Sequence, residues 1–286
     1  PITPAAPLLR PGWEAPMPET ATTAAEALDR YEAFLSHDAI VQRMWHGSGA
    51  NGRKLACGLG VIGPAVFSPR DCPAAIMPRW LAQMVPWLFD GQSKADALAW
   101  GSRFYSELAR LNGSVPFSVI HDWQSNIVGP LAIEVSTKRC RKVETHEALK
   151  AMHADALAGK SFTADEWRPV LKAAFFDADA YADAYANANA DAYADAYANA
   201  YANADANADA NAYADADADA NADAYAYANA NAYANAYANA NANAYADADA
   251  NADAYAYANA NAKKQAVKRL ADGLVDCMAR VTTEAA

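Results

Sequence analysis

The sequence predicts an α+β protein. A small N-terminal helical domain is followed by a narrow, alanine-cored β-solenoid of about 12 residues per coil and a C-terminal capping helix. Three observations carry this expectation. From Asp177 to Ala262 every even-numbered residue is alanine and every odd-numbered one is Asp, Asn or Tyr. A period of two is the strand period, because successive strand side chains point to opposite faces. Within that stretch Tyr recurs at a spacing of 12 residues seven times, against roughly three expected from composition, which suggests a coil length. Outside it, apolar residues recur at helical spacing behind capping signals.

Four segments follow: a Pro-rich arm over 1–22, a helical domain over 23–176, the dipeptide repeat over 177–262, and an amphipathic helix over 263–286. The arm carries six prolines and no apolar run, so neither a signal peptide nor a membrane anchor is expected. The first helix starts at the capping box of Thr23 and Glu26 and carries Leu28, Tyr31 and Leu35, with a continuation or restart from Ser36 through Ile40 and Met44 to Gly47. Met77–Phe89 reads as an aromatic-rich helix that Pro86 must kink or end. A stronger helix starts near Ser93 and Asp96, buries Leu98, Trp100, Phe104, Leu108 and Leu111, and stops at Asn112-Gly113. Phe117–Val128 places Ile120, Trp123 and Ile127 on one face, and Leu131–Thr137 fits a helix or a short strand. His146–Ala158 is helical up to Gly159, and Thr163 with Glu166 caps a helix from Trp167 to Phe176. All seven tryptophans precede the repeat and are expected in the core.

Read as strands, the repeat has a methyl face turned inward, since so short a coil encloses almost no volume, and an Asp/Asn/Tyr face turned outward. The outward Tyr ladders are Tyr181 and Tyr193; Tyr185 and Tyr197; Tyr201, Tyr213, Tyr225 and Tyr237; and Tyr233, Tyr245 and Tyr257. Alanine has the highest helix propensity, so long Ala-rich helices are the alternative, although Asp, Asn and Tyr each cost about 0.5 kcal/mol against it. Phe175, Phe176 and the basic helix from Lys263 would cap the two ends of the solenoid.

The formal charge of −11 is localised. The repeat holds 14 of the 34 acids and none of the 23 Lys and Arg residues, so the remainder carries +3. Such a surface repels nucleic acid, which is not expected as a partner of the repeat. No cofactor is expected, with Ca²⁺ screening of stacked Asp columns as the one metal reading. The basic run Lys138-Arg139-Cys140-Arg141-Lys142 reads as a solvated helix end or a docking point for acid.

Chemistry is sparse elsewhere. Gly47 to Leu55 has the spacing of a phosphate loop but puts Arg53 and Lys54 where Lys and Ser/Thr are required. Gly58, Gly60 and Gly63 match a dinucleotide fingerprint without the βαβ context. Turn and packing glycines explain both, and a nucleotide-binding enzyme using the loop from Gly47 to Gly63 stays as the remote alternative. The five histidines show no metal pair at i, i+4, and the adjacent residues His121 and Asp122 do not face each other. Cys57, Cys72, Cys140 and Cys277 lack metal spacing and read as reduced thiols of a cytoplasmic protein.

This layout resembles uncharacterised bacterial and phage proteins in which a small helical domain precedes an alternating Ala-X or Gly-X tract. The segment Leu157–Trp167 and the closing Ala271-Asp-Gly-Leu-Val275 are similar to alanine-rich immunity proteins. The second resemblance implies a helical fold and an immunity or anti-defence role, and neither implies a functional residue. The leading expectation is a non-enzymatic protein whose rigid acidic, Tyr/Asn-laddered repeat binds a protein partner or self-associates. Acidic mimicry toward a basic partner is the alternative.

Overall fold

The structure is a computed structural model that describes residues 19–49, 52–138, 142–179 and 252–282. The helices are α1 (Ala24–Ser36), α2 (Arg79–Asp90), α3 (Lys94–Arg110), α4 (Ser118–Trp123), α5 (Gly129–Lys138), α6 (Glu144–Leu157), α7 (Ala164–Asp179) and α8 (Ala252–Arg280). Among the described residues the one sheet is an antiparallel pair, β1 (His46–Ser48) and β2 (Lys54–Ala56), with His46 opposite Ala56.

The start signals act as local chemistry requires. Thr23 Oγ1 accepts from the Glu26 amide at 3.1 Å, while the Glu26 carboxylate turns back to the Thr22 amide at 2.9 Å, one residue earlier than in the standard box. Ser93 caps α3 through the Asp96 amide at 3.2 Å. In α7 the box is reciprocal, with Glu166 N donating to Thr163 Oγ1 and Thr163 N to Glu166 Oε2 at 2.7 Å. Helix ends fall where the backbone turns left-handed, at Asn112 and Gly113 after α3 and at Gly159 after α6. Pro86 sits inside α2 without ending it.

From Ser118 to Lys138 the chain is one helical run interrupted by a π segment, Gln124–Val128. Pro130 supplies the reason. Its missing amide and bulky ring are incompatible with the carbonyl four residues back, and a wider turn relieves both. Gly129 accordingly donates to Gln124 O. The residues after α1 are not the helical continuation that their apolar spacing suggests. Asp38 and Arg43 have positive φ, and Ile40 bridges to Ala56 beside the hairpin.

The β-solenoid expectation is overturned. Wherever the repeat is described, it is helical: residues 177–179 end α7, and residues 252–262 open α8. The physical reason is nucleation. The first turn is the costly step of helix formation, and here packed helices supply it at both ends. Residues 177–179 and 252–262 then only have to propagate those helices, and alanine at every second position is the best residue for doing so. A helix also cannot align the Tyr columns, since 12 residues advance the face by about 120°. Tyr257 lies in α8, while Tyr181, Tyr185, Tyr193, Tyr197, Tyr201, Tyr213, Tyr225, Tyr233, Tyr237 and Tyr245 lie outside the described residues.

The C-terminal helix is likewise not a solenoid cap. Ala266, Val267, Leu270, Ala271, Leu274, Cys277 and Met278 of α8 are buried in the same core as Tyr31, Phe89, Trp100, Phe104 and Trp123. A β-carbon at Gly273 would lie 2.6 Å from Ile127 Cγ2, so this glycine sets how closely α8 meets the π segment. The repeat is therefore an insertion whose two flanks belong to one helical core, not a rod appended to a finished domain.

Candidate functional site

The feature with functional content is the root of the repeat, the place where α7 leaves the core and α8 re-enters it. Each flank is held by its own set of side chains.

On the departing side, Trp167, Leu171 and Ala174 of α7 are fully buried. The Trp167 ring stacks on His121 of α4, with centroids 6.0 Å apart and planes 9° apart, and lies 4.9 Å from the His153 ring of α6. His121 and His153 meet through their Nδ1 atoms at 2.9 Å, so one ring donates and the other accepts. Phe117 and Phe162 close the cluster edge-on, against His121 and Trp167 respectively. Burial, and then the neighbouring His121, hold the His153 pKa well below the ordinary histidine value. The His121–His153–Trp167 contacts thus cement three helices where α7 departs.

On the returning side, two indoles donate to the backbone of α8, Trp100 Nε1 to Ala271 O at 2.8 Å and Trp123 Nε1 to Leu270 O at 2.9 Å. Arg103 forks onto Asp272 and Asp276 at 2.9 and 2.7 Å. Arg110 donates to Met278 O at 2.7 Å and Val281 O at 3.0 Å, tying α3 to the C-terminal end of α8. Arg280 pairs with Asp122 at 2.8 Å, and Asn126 donates to the same carboxylate at 2.7 Å.

Neighbouring residues His121 and Asp122 therefore serve opposite flanks, one facing α6 and α7, the other α8. Sequence reading identified each histidine and tryptophan but not these meetings, which join helices 32 to 171 residues apart. The amphipathic pattern of α8 was the one available signal that it needed a partner face.

In the described part of the glycine loop, four amides of the Gly58–Gly63 fingerprint are taken by the loop itself. The amides of Gly60, Val61, Ile62 and Gly63 donate to Cys57 Sγ, Cys57 O, Leu59 O and Gly60 O. The fingerprint glycines are packing residues: a β-carbon at Gly58 would lie 2.8 Å from the Phe89 ring, and one at Gly60 would collide with Trp45 O. Among the described residues no group of three metal-ligating side chains occurs, and the Asp-rich columns lie almost wholly outside them. A shallow apolar groove of about 290 Å³ runs between α6 and α7, lined by Glu144, Thr145, Ala148, Pro169, Val170 and Ala173. No described helix is long and apolar enough to cross a membrane. Cys57, Cys72 and Cys277 are free thiols.

No family model, curated protein or solved structure matches the chain.

Proposed function

We propose that the protein is a non-enzymatic interaction protein. The helical core is its base, and the acidic, Tyr- and Asn-rich stretch of residues 177–262 is the surface it presents to a basic protein partner. One observation supports this above the others: both flanks of a segment carrying 14 acids and no Lys or Arg are rooted in a single core. Rooting both ends restricts the segment and lowers the entropy lost when it is bound, which a tail held at one end would not do. Acid without cations favours a partner of opposite charge and gives fast, salt-sensitive association. An immunity or anti-defence role by acidic mimicry is the second reading, favoured by the same charge pattern. A cytoplasmic setting belongs to the proposal and is supported by the free thiols Cys57, Cys72 and Cys277.

The test is affinity capture with three chains: the native one, one with the 14 repeat aspartates changed to Asn, and one with residues 180–251 replaced by a short linker. The expected result is a saturable protein partner that the native chain holds at about 0.1 M salt, releases near 1 M salt, and loses in both variants. A partner held equally by the linker chain would move the function to the core and sink the proposal.

A further inference from the structure

The residues that lead the N-terminal arm into the core are fixed in place. The buried Arg30 guanidinium donates through Nη1 to Glu19 O at 2.5 Å and to Ile62 O at 2.8 Å. The Ala21 amide donates to the same Ile62 carbonyl at 2.7 Å, and a β-carbon at Gly63 would lie 2.5 Å from Thr20 Cα. Glu19 to Ala21 therefore run against Ile62 and Gly63. From Gly63 the chain turns back, with Val66 N donating to Gly63 O at 3.1 Å, and holds out Phe67. At 59% exposure this is the most exposed large apolar side chain among the described residues. A single exposed aromatic ordinarily needs no explanation. This one is pinned. Its amide and the Ser68 hydroxyl both donate to Asp71 Oδ2 at 3.0 Å, His46 Nε2 donates to Val66 O at 2.9 Å, and the His46 ring meets the Phe67 ring edge-on at 4.9 Å. Pro64 and Ala65 on the same turn are exposed as well.

We infer that this turn, with Phe67 at its centre, is a docking surface for Pro-rich chain and that its occupant is the protein's own arm, residues 1–18. The arm joins the described residues beside the turn, and at most about 14 Å of chain separates Gly63 from Phe67. Trp13 stands six residues before Glu19. That span is up to about 20 Å, which brings the indole within reach of the ring. Composition suits the surface too. Pro1, Pro4 and Pro7 recur every three residues, the period of a polyproline II helix, and Leu8, Leu9, Trp13 and Met17 supply apolar bulk. Pro-rich segments dock on aromatic side chains because their preformed shape leaves little entropy to lose. Tethering raises the arm's effective concentration at the ring to the order of millimolar, which lets a small surface hold it. The inference does not involve the repeat and does not rest on the proposed function.

A glutamate-specific protease tests this on the full-length chain, because Glu14 is the one acid within residues 1–18. Cleavage after Glu14 is followed by mass spectrometry. Each rate is divided by that of the matching free peptide of residues 1–18, which cancels any effect of a substitution on the protease itself. The native chain should be cut about tenfold more slowly than its peptide, as for a contact closed about nine-tenths of the time. That protection should vanish in Phe67→Ala and in Trp13→Ala. It should persist in Phe67→Tyr, which keeps the ring, and in Leu157→Ala, which removes an exposed apolar side chain from the end of α6. Equal cleavage of the native chain and its peptide overturns the inference, as does protection that survives Phe67→Ala or Trp13→Ala, or that is lost in Leu157→Ala. Protection that disappears on dilution also overturns it, since the arm would then sit on a second copy. If Phe67→Ala lowers the thermal midpoint, Trp13→Ala decides alone: lost protection supports the inference and kept protection sinks it.

Discussion

His121 and Asp122 are neighbours in sequence that turn to opposite flanks of the repeat. The imidazole contacts His153 at 2.9 Å and stacks on Trp167 of the departing helix, and the carboxylate pairs with Arg280 of the returning one at 2.8 Å. One short stretch of α4 therefore ties both roots together, and what happens at either side should be felt at the other.

Acid should loosen the departing root. The His153 pKa is lower in the folded chain than in the unfolded one, because burial and then His121 disfavour its charge. The unfolded state then binds more protons once pH drops below about 6.5, and stability falls with pH by up to about 1.4 kcal/mol per unit until the folded-state pKa is reached. Carboxylates held low by their partners, such as Glu134 and Glu166, weaken the fold only at lower pH, near their own unfolded values. Urea unfolding between pH 7.5 and 5 should show the slope in the native chain and a clearly flatter one in His153→Gln.

Trp100→Phe and Trp123→Phe should each destabilise the whole domain by about 1 to 3 kcal/mol, through a lost donor and lost buried volume. Because the indoles bond α8 to the core, the loss should appear in global unfolding midpoints followed by circular dichroism, and not as fraying of α8 alone.

Gly101→Ala should cost about 1 to 3 kcal/mol. A β-carbon there would collide with Tyr31 Oη, whose hydroxyl donates to Leu98 O at 3.0 Å. Tyr31 is completely buried and cannot yield toward solvent. Thermal denaturation of the variant reads the loss directly.

Three thiols should be sluggish. Burial raises Cys57 and pushes Cys72 and Cys277 up to about 12, so the reactive thiolate is scarce at neutral pH. Alkylation at pH 7.5 with peptide mapping should label these three only after denaturant is added.

What was legible in the sequence was local. Thr23, Ser93 and Thr163 announce helices because each cap is completed within three residues, and Asn112, Gly113 and Gly159 end helices because few other residues tolerate the left-handed turn. The hairpin around Gly47 and Leu55 was not legible, since strands of three residues leave no period to read. His121 with His153, and Trp100 with Ala271, were hidden because nothing local encodes a meeting between distant helices. In the repeat the period of two was real but misleading. It set the pattern of odd positions above the propensity of the alanines between them, and at residues 177–179 and 252–262, which continue the helices packed through Trp167 and Leu270, that weighting is reversed.

The most direct measurement asks whether α8 belongs to the same core as the residues before the repeat. Residues 180–251 are replaced by a protease-cleavable linker, the linker is cut, and the product is run on size exclusion under native conditions. Co-elution of the two fragments as one helical species, separating only in denaturant, is the expected result. Elution of the fragment beginning at residue 252 by itself, with the thermal midpoint of the larger fragment unchanged, would contradict an insertion rooted at both ends.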